Sequence, residues 1–350
     1  MTGLIRKEIA SLLEYHLTHV PYRIKLNQNE NPYELPQHVK DEVIRKLAAA
    51  QWSRYPAFIP SAQIEKVARF AGWKPDGTLL GNGSNELLQL IFTCFLERCR
   101  TVLISQPTFT LYAILARSLG ATVREVLMTD RFQFDVDAIV REGRDADLIV
   151  LCSPNNPTGS MLSREDVVRI VGETRGLVVL DEAYVQFSGQ SLVGLLEDFD
   201  RLVILQTFSK AMAAAGLRFG YALGAPALMG QLGKVKLPYN INLFTLMAVE
   251  TFIDRWSDIQ WWIGRIIEER ERVKEAMVTM DGIRVHASGA NFLLFESLRK
   301  APGEIFRSLA SRGILIRDVS AYPMLSRALR VTVGTPEEND QFLRTLKEAL

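Results

Sequence analysis

Short apolar runs rich in β-branched residues alternate with longer amphipathic stretches through the middle of the sequence, and this alternation constrains the fold most. The runs are TVLIS (101–105), ATVREVLM (121–128), DLIVLCS (147–153), GLVVLDEAY (176–184), RLVILQTFS (201–209) and YALGA (221–225). Strands separated by helix-length segments favour a largely parallel sheet with helices packed on it. One such segment, 163–176, begins with Ser163 as an N-cap and Asp166 three residues later, a capping-box-like start. The sequence therefore predicts an α/β fold.

The pattern changes from about residue 255. One long helix is predicted over 258–280, followed by strands at 291–297, 313–319 and 328–334. A chain of 350 residues is longer than most single cores, which favours two domains. We expect a large domain over 30–253, and a smaller α+β domain formed by 254–350 together with 1–29, which includes an N-terminal arm.

Charge and cysteine usage exclude several functional classes. The 41 basic and 40 acidic side chains leave a formal net charge of +1, so nothing favours a nucleic acid or an anionic membrane as partner. No window reaches ~18 uninterrupted apolar residues, and the N-terminus lacks a signal-peptide pattern, so we expect a cytoplasmic protein without a membrane span. The three cysteines have no metal-site spacing, and no metal is expected.

Polar residues follow four of the predicted strands. DLIVLCS runs into PNNPTG (154–159), GLVVLDEAY ends with Asp181 and Tyr184, RLVILQTFSK ends with Thr207, Ser209 and Lys210, and GTLLG (77–81) opens into GNGSNELLQLI. Open parallel sheets bind ligands outside the carboxyl ends of their strands. These residues are therefore predicted to line one ligand site.

The residue types at these strand ends match the needs of pyridoxal 5′-phosphate. That cofactor requires a lysine to form an imine, a carboxylate to keep the pyridine nitrogen protonated, and donors to the phenolic oxygen. Lys210 supplies the amine and Asp181 the carboxylate, while Asn156 and Tyr184 supply the donors. The sequence thus contains a candidate for each part of the ring site.

A phosphate cradle and a stacking residue complete the candidate cofactor site. Backbone N–H groups where a strand turns into a helix, together with hydroxyl and guanidinium groups, favour an anion. The candidates are Gly83, Ser84, Asn85, Thr207, Ser209 and Arg218, with Phe109 placed to stack on the pyridine ring. The glycines of GNGSNE also permit a nucleotide-binding interpretation, although the third glycine of a GxGxxG pattern is absent.

Taken in order, these motifs resemble those of the fold-type-I aminotransferases, and within them the histidinol-phosphate aminotransferase family. The resemblance covers nearly the whole chain. It runs through IKLNQNENP (24–32), SRYP (53–56), GNGSNE (81–86), QPTFTLY (106–112), SPNNPTG (153–159), DEAY (181–184), TFSKAMAAAGLRFGYALG (207–224), PYNIN (238–242) and LRVTVGTPEEN (329–339). The family usually has Tyr at the position of Phe109 and often Asp at that of Asn85.

The resemblance implies a fold-type-I homodimer that transfers the amino group of L-histidinol phosphate to 2-oxoglutarate. It implies that Tyr55 reaches the cofactor phosphate of the partner subunit, that Arg317 and Arg330 anchor the substrate, and that Tyr15 lies on the substrate side. Two alternatives remain open at this point. They are an aromatic amino acid aminotransferase and a decarboxylase that acts on a phosphorylated amino acid.

Overall fold

The computed structural model describes residues 4–10, 12 and 21–350. In this part of the chain the strands are β1 (Ile24–Lys25), β2 (Thr78–Gly81), β3 (Thr101–Gln106), β4 (Thr122–Leu127), β5 (Leu148–Cys152), β6 (Leu177–Asp181), β7 (Leu202–Thr207), β8 (Gly220–Gly224), β9 (Ile283–Val285), β10 (Phe292–Ser297), β11 (Ile314–Leu315), β12 (Arg317–Asp318) and β13 (Ala328–Thr332). The α-helices are α1 (Lys7–Ala10), α2 (Gln37–Ala49), α3 (Ser61–Ala71), α4 (Ser84–Phe95), α5 (Leu111–Ser118), α6 (Val136–Gly143), α7 (Arg164–Glu173), α8 (Pro226–Gly233), α9 (Leu243–Asp254), α10 (Trp256–Ile259), α11 (Trp261–Val278), α12 (Pro302–Ser311) and α13 (Pro336–Ala349).

A large sheet of seven strands has the order β2-β8-β7-β6-β5-β3-β4. Its pairs are parallel except those of β8, which runs antiparallel to both β2 and β7. Alternate residues of β6 and β7 enter two different cores: Val178, Leu180 and Ile204 face one, and Val179 and Leu205 face the other. Both faces are therefore covered, which confirms the predicted α/β fold with a mostly parallel sheet packed between helices.

A smaller antiparallel sheet has the order β12-β13-β10-β9, and β1 pairs separately with β11 in parallel. The hydrophobic core beneath the smaller sheet includes Phe295, Leu329 and Phe342. The strand predicted over 313–319 is two short strands, because β11 pairs with β1 whereas β12 pairs with β13. The chain changes pairing partner at Ile316, so one continuous ladder cannot form.

The long helix predicted over 258–280 is also divided, into α10 and α11. The N–H of Ile263 bonds to the carbonyl of Gln260, three residues earlier, at 3.0 Å. This tighter turn interrupts the regular i→i−4 hydrogen bonding.

The capping box of α7 is confirmed, since Ser163 and Asp166 exchange side-chain to backbone hydrogen bonds. None of the helices in the described residues is long and apolar enough to span a membrane.

Two adjacent tryptophans at the start of α11 provide a matched test of the core. Trp262 is fully buried and its Nε1 donates to the carbonyl of Ala211 at 2.6 Å, whereas Trp261 is 52% exposed. We expect Trp262→Ala to lower the free energy of unfolding by about 3–5 kcal/mol, because it leaves a cavity. Trp261→Ala should lower it by less than about 1.5 kcal/mol. Urea unfolding followed by circular dichroism measures both values, and equal losses would contradict this account of the core.

Candidate active site

A cavity of about 680 Å³ opens at the carboxyl ends of β5, β6 and β7. The predicted site residues that line it are Ser84, Asn85, Phe109, Asn156, Asp181, Tyr184, Thr207, Ser209, Lys210, Arg218, Arg317 and Arg330. Gly83 lies just behind this lining, against the Arg218 guanidinium. Tyr15 lies outside the described residues.

Lys210 follows β7 and reaches across the cavity. Its Nζ donates to the carbonyl of Gln28 at 2.9 Å and lies 5.9 Å from the centre of the Tyr184 ring. The pKa of the Lys210 amine is lowered to about 8, mainly because the amine is buried and secondly because Arg330 is positively charged. The amine therefore has a much larger neutral fraction near neutral pH than an ordinary lysine, and the neutral form is the nucleophile.

Asp181 ends β6 with its carboxylate buried. The hydroxyl of Tyr112 donates to Oδ2 at 2.7 Å and the N–H of Ala183 donates to Oδ1 at 3.1 Å. Burial raises the pKa of Asp181, and these two hydrogen bonds oppose that rise. Both partners are neutral donors, so a cationic ring nitrogen would offset the cost of burying the charge. Tyr112 was not predicted as a site residue, although it lies three residues after Phe109 in QPTFTLY.

The segment Asn27–Asn29 contacts three of the predicted residues at once. The carbonyl of Asn27 accepts from Nη2 of Arg330 at 2.7 Å, and that of Gln28 accepts from Lys210. Nδ2 of Asn29 donates to the Tyr184 hydroxyl at 3.0 Å. These contacts were not predicted individually. The available signal was the concentration of asparagines in IKLNQNENP.

The N-terminus of α4, the end of β7 and Arg218 form an anion cradle. The first N–H groups of a helix have no intrahelical acceptor, and Ser84 and Asn85 begin α4 at the cavity. Gly83 has φ +81°, and a Cβ there would lie 2.7 Å from Nη2 of Arg218. Nη1 of Arg218 donates to Ser209 Oγ at 3.3 Å. Donors of these types at this close approach fit a phosphate monoester.

Arg317 and Arg330 approach the cavity from the small sheet. They are direct partners across the antiparallel pair β12–β13, so their side chains leave the same face of that pair. Nη1 of Arg330 donates to Oδ1 of Asn156, which ties the small sheet to the loop after β5. These two guanidinium groups thus line the cavity together with that of Arg218 and the amine of Lys210.

Tyr55 lies away from this cavity, beside a surface groove. Its side chain is 80% exposed and its ring stacks on that of Tyr239 with centroids 4.5 Å apart. Phe58 contacts the same Tyr239 ring edge-on. Tyr55 therefore does not join the other predicted residues within one chain.

Comparison with known proteins identifies the family. The model of the family "Aminotransferase class I and II" matches residues 22–346. The histidinol-phosphate aminotransferase of Chlorobaculum tepidum is 41% identical over 331 residues, which cover 93% of this chain and 94% of that protein.

Solved structures share the fold. The crystal structure of the histidinol-phosphate aminotransferase from Clostridium acetobutylicum has a TM-score of 0.85 at 26% identity, covering 93% of this chain and 98% of its own. The enzyme from Sinorhizobium meliloti, in complex with pyridoxal-5′-phosphate, has a TM-score of 0.86 at 23% identity, covering 99% and 97%. The chain therefore belongs to the class I and II aminotransferase family.

Proposed function

We propose that this aminotransferase uses pyridoxal 5′-phosphate to transfer the amino group of L-histidinol phosphate to 2-oxoglutarate. The observation that carries the choice of substrate is the register of β12 and β13, which sets Arg317 directly opposite Arg330. Side chains directly opposite each other leave the same face of a sheet, so both guanidinium groups can contact one anion in the cavity that they line.

A phosphate substrate makes fuller use of this pair than an amino acid does. The second pKa of a phosphate monoester is about 6, so the group is near dianionic at pH 7. One bidentate guanidinium satisfies a singly charged carboxylate, whereas a dianion gains from two. The name of the relative from Chlorobaculum tepidum supports the same substrate. Arg330, which also contacts Asn156, is proposed to hold the carboxylate of 2-oxoglutarate in the second half-reaction.

The residues of the cavity fit the cofactor at three places: the anion cradle, the carboxylate of Asp181 and the amine of Lys210. When bound, pyridoxal 5′-phosphate supplies an aldehyde that bonds to amines and a ring that withdraws electrons. We propose that Ser84, Asn85, Thr207, Ser209 and Arg218 hold its phosphate, with Gly83 allowing Arg218 to approach. Phe109 is proposed to stack on its ring.

The remaining side chains hold or move protons. Asp181, fixed by Tyr112 and Ala183, would keep a proton on the pyridine nitrogen. Asn156 and Tyr184 would donate to the phenolic oxygen. The neutral amine of Lys210 would remove the proton from the substrate Cα, a step for which its lowered pKa of about 8 is suited.

We also propose a homodimer with shared sites. An exposed aromatic patch, formed by Trp52, Tyr55, Phe58, Tyr239 and Phe244, supports it, because contiguous exposed apolar surface marks protein interfaces. In this arrangement Tyr55 contacts the cofactor phosphate of the partner subunit.

A cytoplasmic location is also part of this proposal. Domain boundaries at 30 and 253 remain our proposal, supported by the pairing of β1 with β11.

The role of Lys210 is tested by chemical trapping as well as by turnover. Borohydride reduction of the holoenzyme should label the peptide that contains Lys210, and Lys210→Ala should abolish that label. Turnover should fall by at least about a thousandfold in Lys210→Ala and in Lys210→Arg, because neither side chain supplies a neutral amine. A label on another lysine, or turnover within tenfold of wild type, would refute the assignment.

The substrate choice is tested by kcat/KM for histidinol phosphate and phenylalanine. Arg317→Ala should lower the value for histidinol phosphate by about 10- to 100-fold, which corresponds to the loss of charge-assisted hydrogen bonds. The value for 2-oxoglutarate should fall less. Arg284→Ala is the matched control, since Arg284 lies in β9 of the same sheet with its side chain 64% exposed. Preference for phenylalanine in wild type would favour an aromatic aminotransferase, and release of carbon dioxide from a phosphorylated amino acid would favour a decarboxylase.

Subunit mixing tests the shared site. Equal amounts of Lys210→Ala and Tyr55→Ala subunits should recover about a quarter of wild-type activity, because half of the dimers are mixed and each of these has one intact site. Mixing Lys210→Ala with Asp181→Ala should recover none, since each chain then carries a defect in its own site. Equal recovery in both mixtures, or none in the first after demonstrated subunit exchange, would contradict the sharing.

A further inference from the structure

Asn29 occupies a conformation and a position that few residues could fill. It is 1% exposed and has φ +55°, a left-handed backbone conformation that asparagine tolerates better than most residues. Its carbonyl accepts from Nδ2 of Asn291 at 3.1 Å. Its backbone N–H donates to Oγ1 of Thr332 at 3.0 Å. The residue is therefore fixed by Thr332 of β13 and by Asn291, which immediately precedes β10, while its side chain reaches the cavity.

These contacts determine which way the Asn29 amide faces. Because Thr332 Oγ1 accepts from the Asn29 N–H, its hydroxyl proton is free to be donated, and it is donated to Oδ1 of Asn29 at 3.1 Å. The amide oxygen therefore accepts its hydrogen bond from Thr332. Nδ2, which can only donate, is left to face the Tyr184 hydroxyl at 3.0 Å.

The direction of this hydrogen bond fixes the role of Tyr184. Its hydroxyl oxygen accepts from Asn29, and among the residues that the structure describes it donates to none. The charged or titratable groups that face it are Lys210, Arg330, Asp181 and Cys152. The hydroxyl proton is therefore available to a ligand in the cavity.

We propose that Asn29, oriented by Thr332, is a positioning residue that keeps the Tyr184 hydroxyl proton directed into the cavity, where it is donated to the phenolic oxygen of the cofactor. The inference rests on the proposed function, because it requires the cofactor ring to lie beside Tyr184.

The test follows the visible absorbance of the bound cofactor against pH. A donor to the phenolic oxygen competes for the lone pair that otherwise holds the cofactor's own proton, so it lowers the pH midpoint of the absorbance change. Asn29→Asp replaces the donor with an acceptor and should raise the midpoint by about one unit, the size of one hydrogen bond. Thr332→Val should raise it too, because the amide is then free to turn. Thr332→Ser keeps the hydroxyl and should leave the midpoint at the wild-type value.

Tyr184→Phe separates this effect from the charge that Asn29→Asp introduces. In the Tyr184→Phe background, Thr332→Val should cause no further shift, since there is no hydroxyl left to orient, and any shift that Asn29→Asp still causes there measures its charge alone. A Thr332→Val shift that persists in this background, or midpoints equal to wild type in both single variants, overturns the proposal. If Asn29→Asp does not fold, Thr332→Val decides. Wild-type protein without a pH-dependent visible band would instead overturn the assignment of the cofactor to this cavity.

Discussion

The site depends on the parallel, in-register pairing of β5, β6 and β7. Cys152, Asp181 and Leu205 are successive Cα partners across these strands. The segments that follow β5 and β6 therefore leave the sheet at one level, and β7 continues only two residues farther, to Thr207, although the three strands are joined by separate crossovers. This pairing brings Asn156, Asp181 and Lys210 to one cavity, and it also buries the carboxylate of Asp181 and the amine of Lys210. The cost of that burial is offset locally, by Tyr112 at the carboxylate and by the carbonyl of Gln28 at the amine.

The strands of the large sheet and the residues at their ends could be predicted, because a fully buried strand and the polar residue that ends it are both visible in a short stretch of sequence. The antiparallel direction of β8 could not be predicted, since an apolar run such as YALGA is compatible with a parallel and with an antiparallel strand. The division of 313–319 was missed because two-residue ladders leave no periodicity. Tyr112 and Asn29 were missed as site residues because their partners lie 69 and 155 residues away in sequence.

The small sheet contributes more to the cavity than the side chains of Arg317 and Arg330. Arg330 donates to Oδ1 of Asn156 through Nη1 and to the carbonyl of Asn27 through Nη2. One guanidinium group therefore connects the loop after β5 to the N-terminal segment. Thr332, two residues later in the same strand and on the same face, contacts Asn29. A single short strand, β13, thus positions both Arg330 and Asn29 at the cavity.

The pairing of Asn29 with Thr332 also has a consequence for the order of events during synthesis. The two residues are 303 positions apart, so the N-terminal segment leaves the ribosome long before the strand that fixes it has been translated. Contacts of such sequence separation form late in folding, because the intervening chain must be organised first. The strands of the large sheet and Lys210 are all translated before Thr332, since the last of these strands ends at Gly224. A growing chain therefore contains Lys210 for some time before Asn27–Asn29 is fixed against it, and the complete cavity forms only in the fully folded molecule.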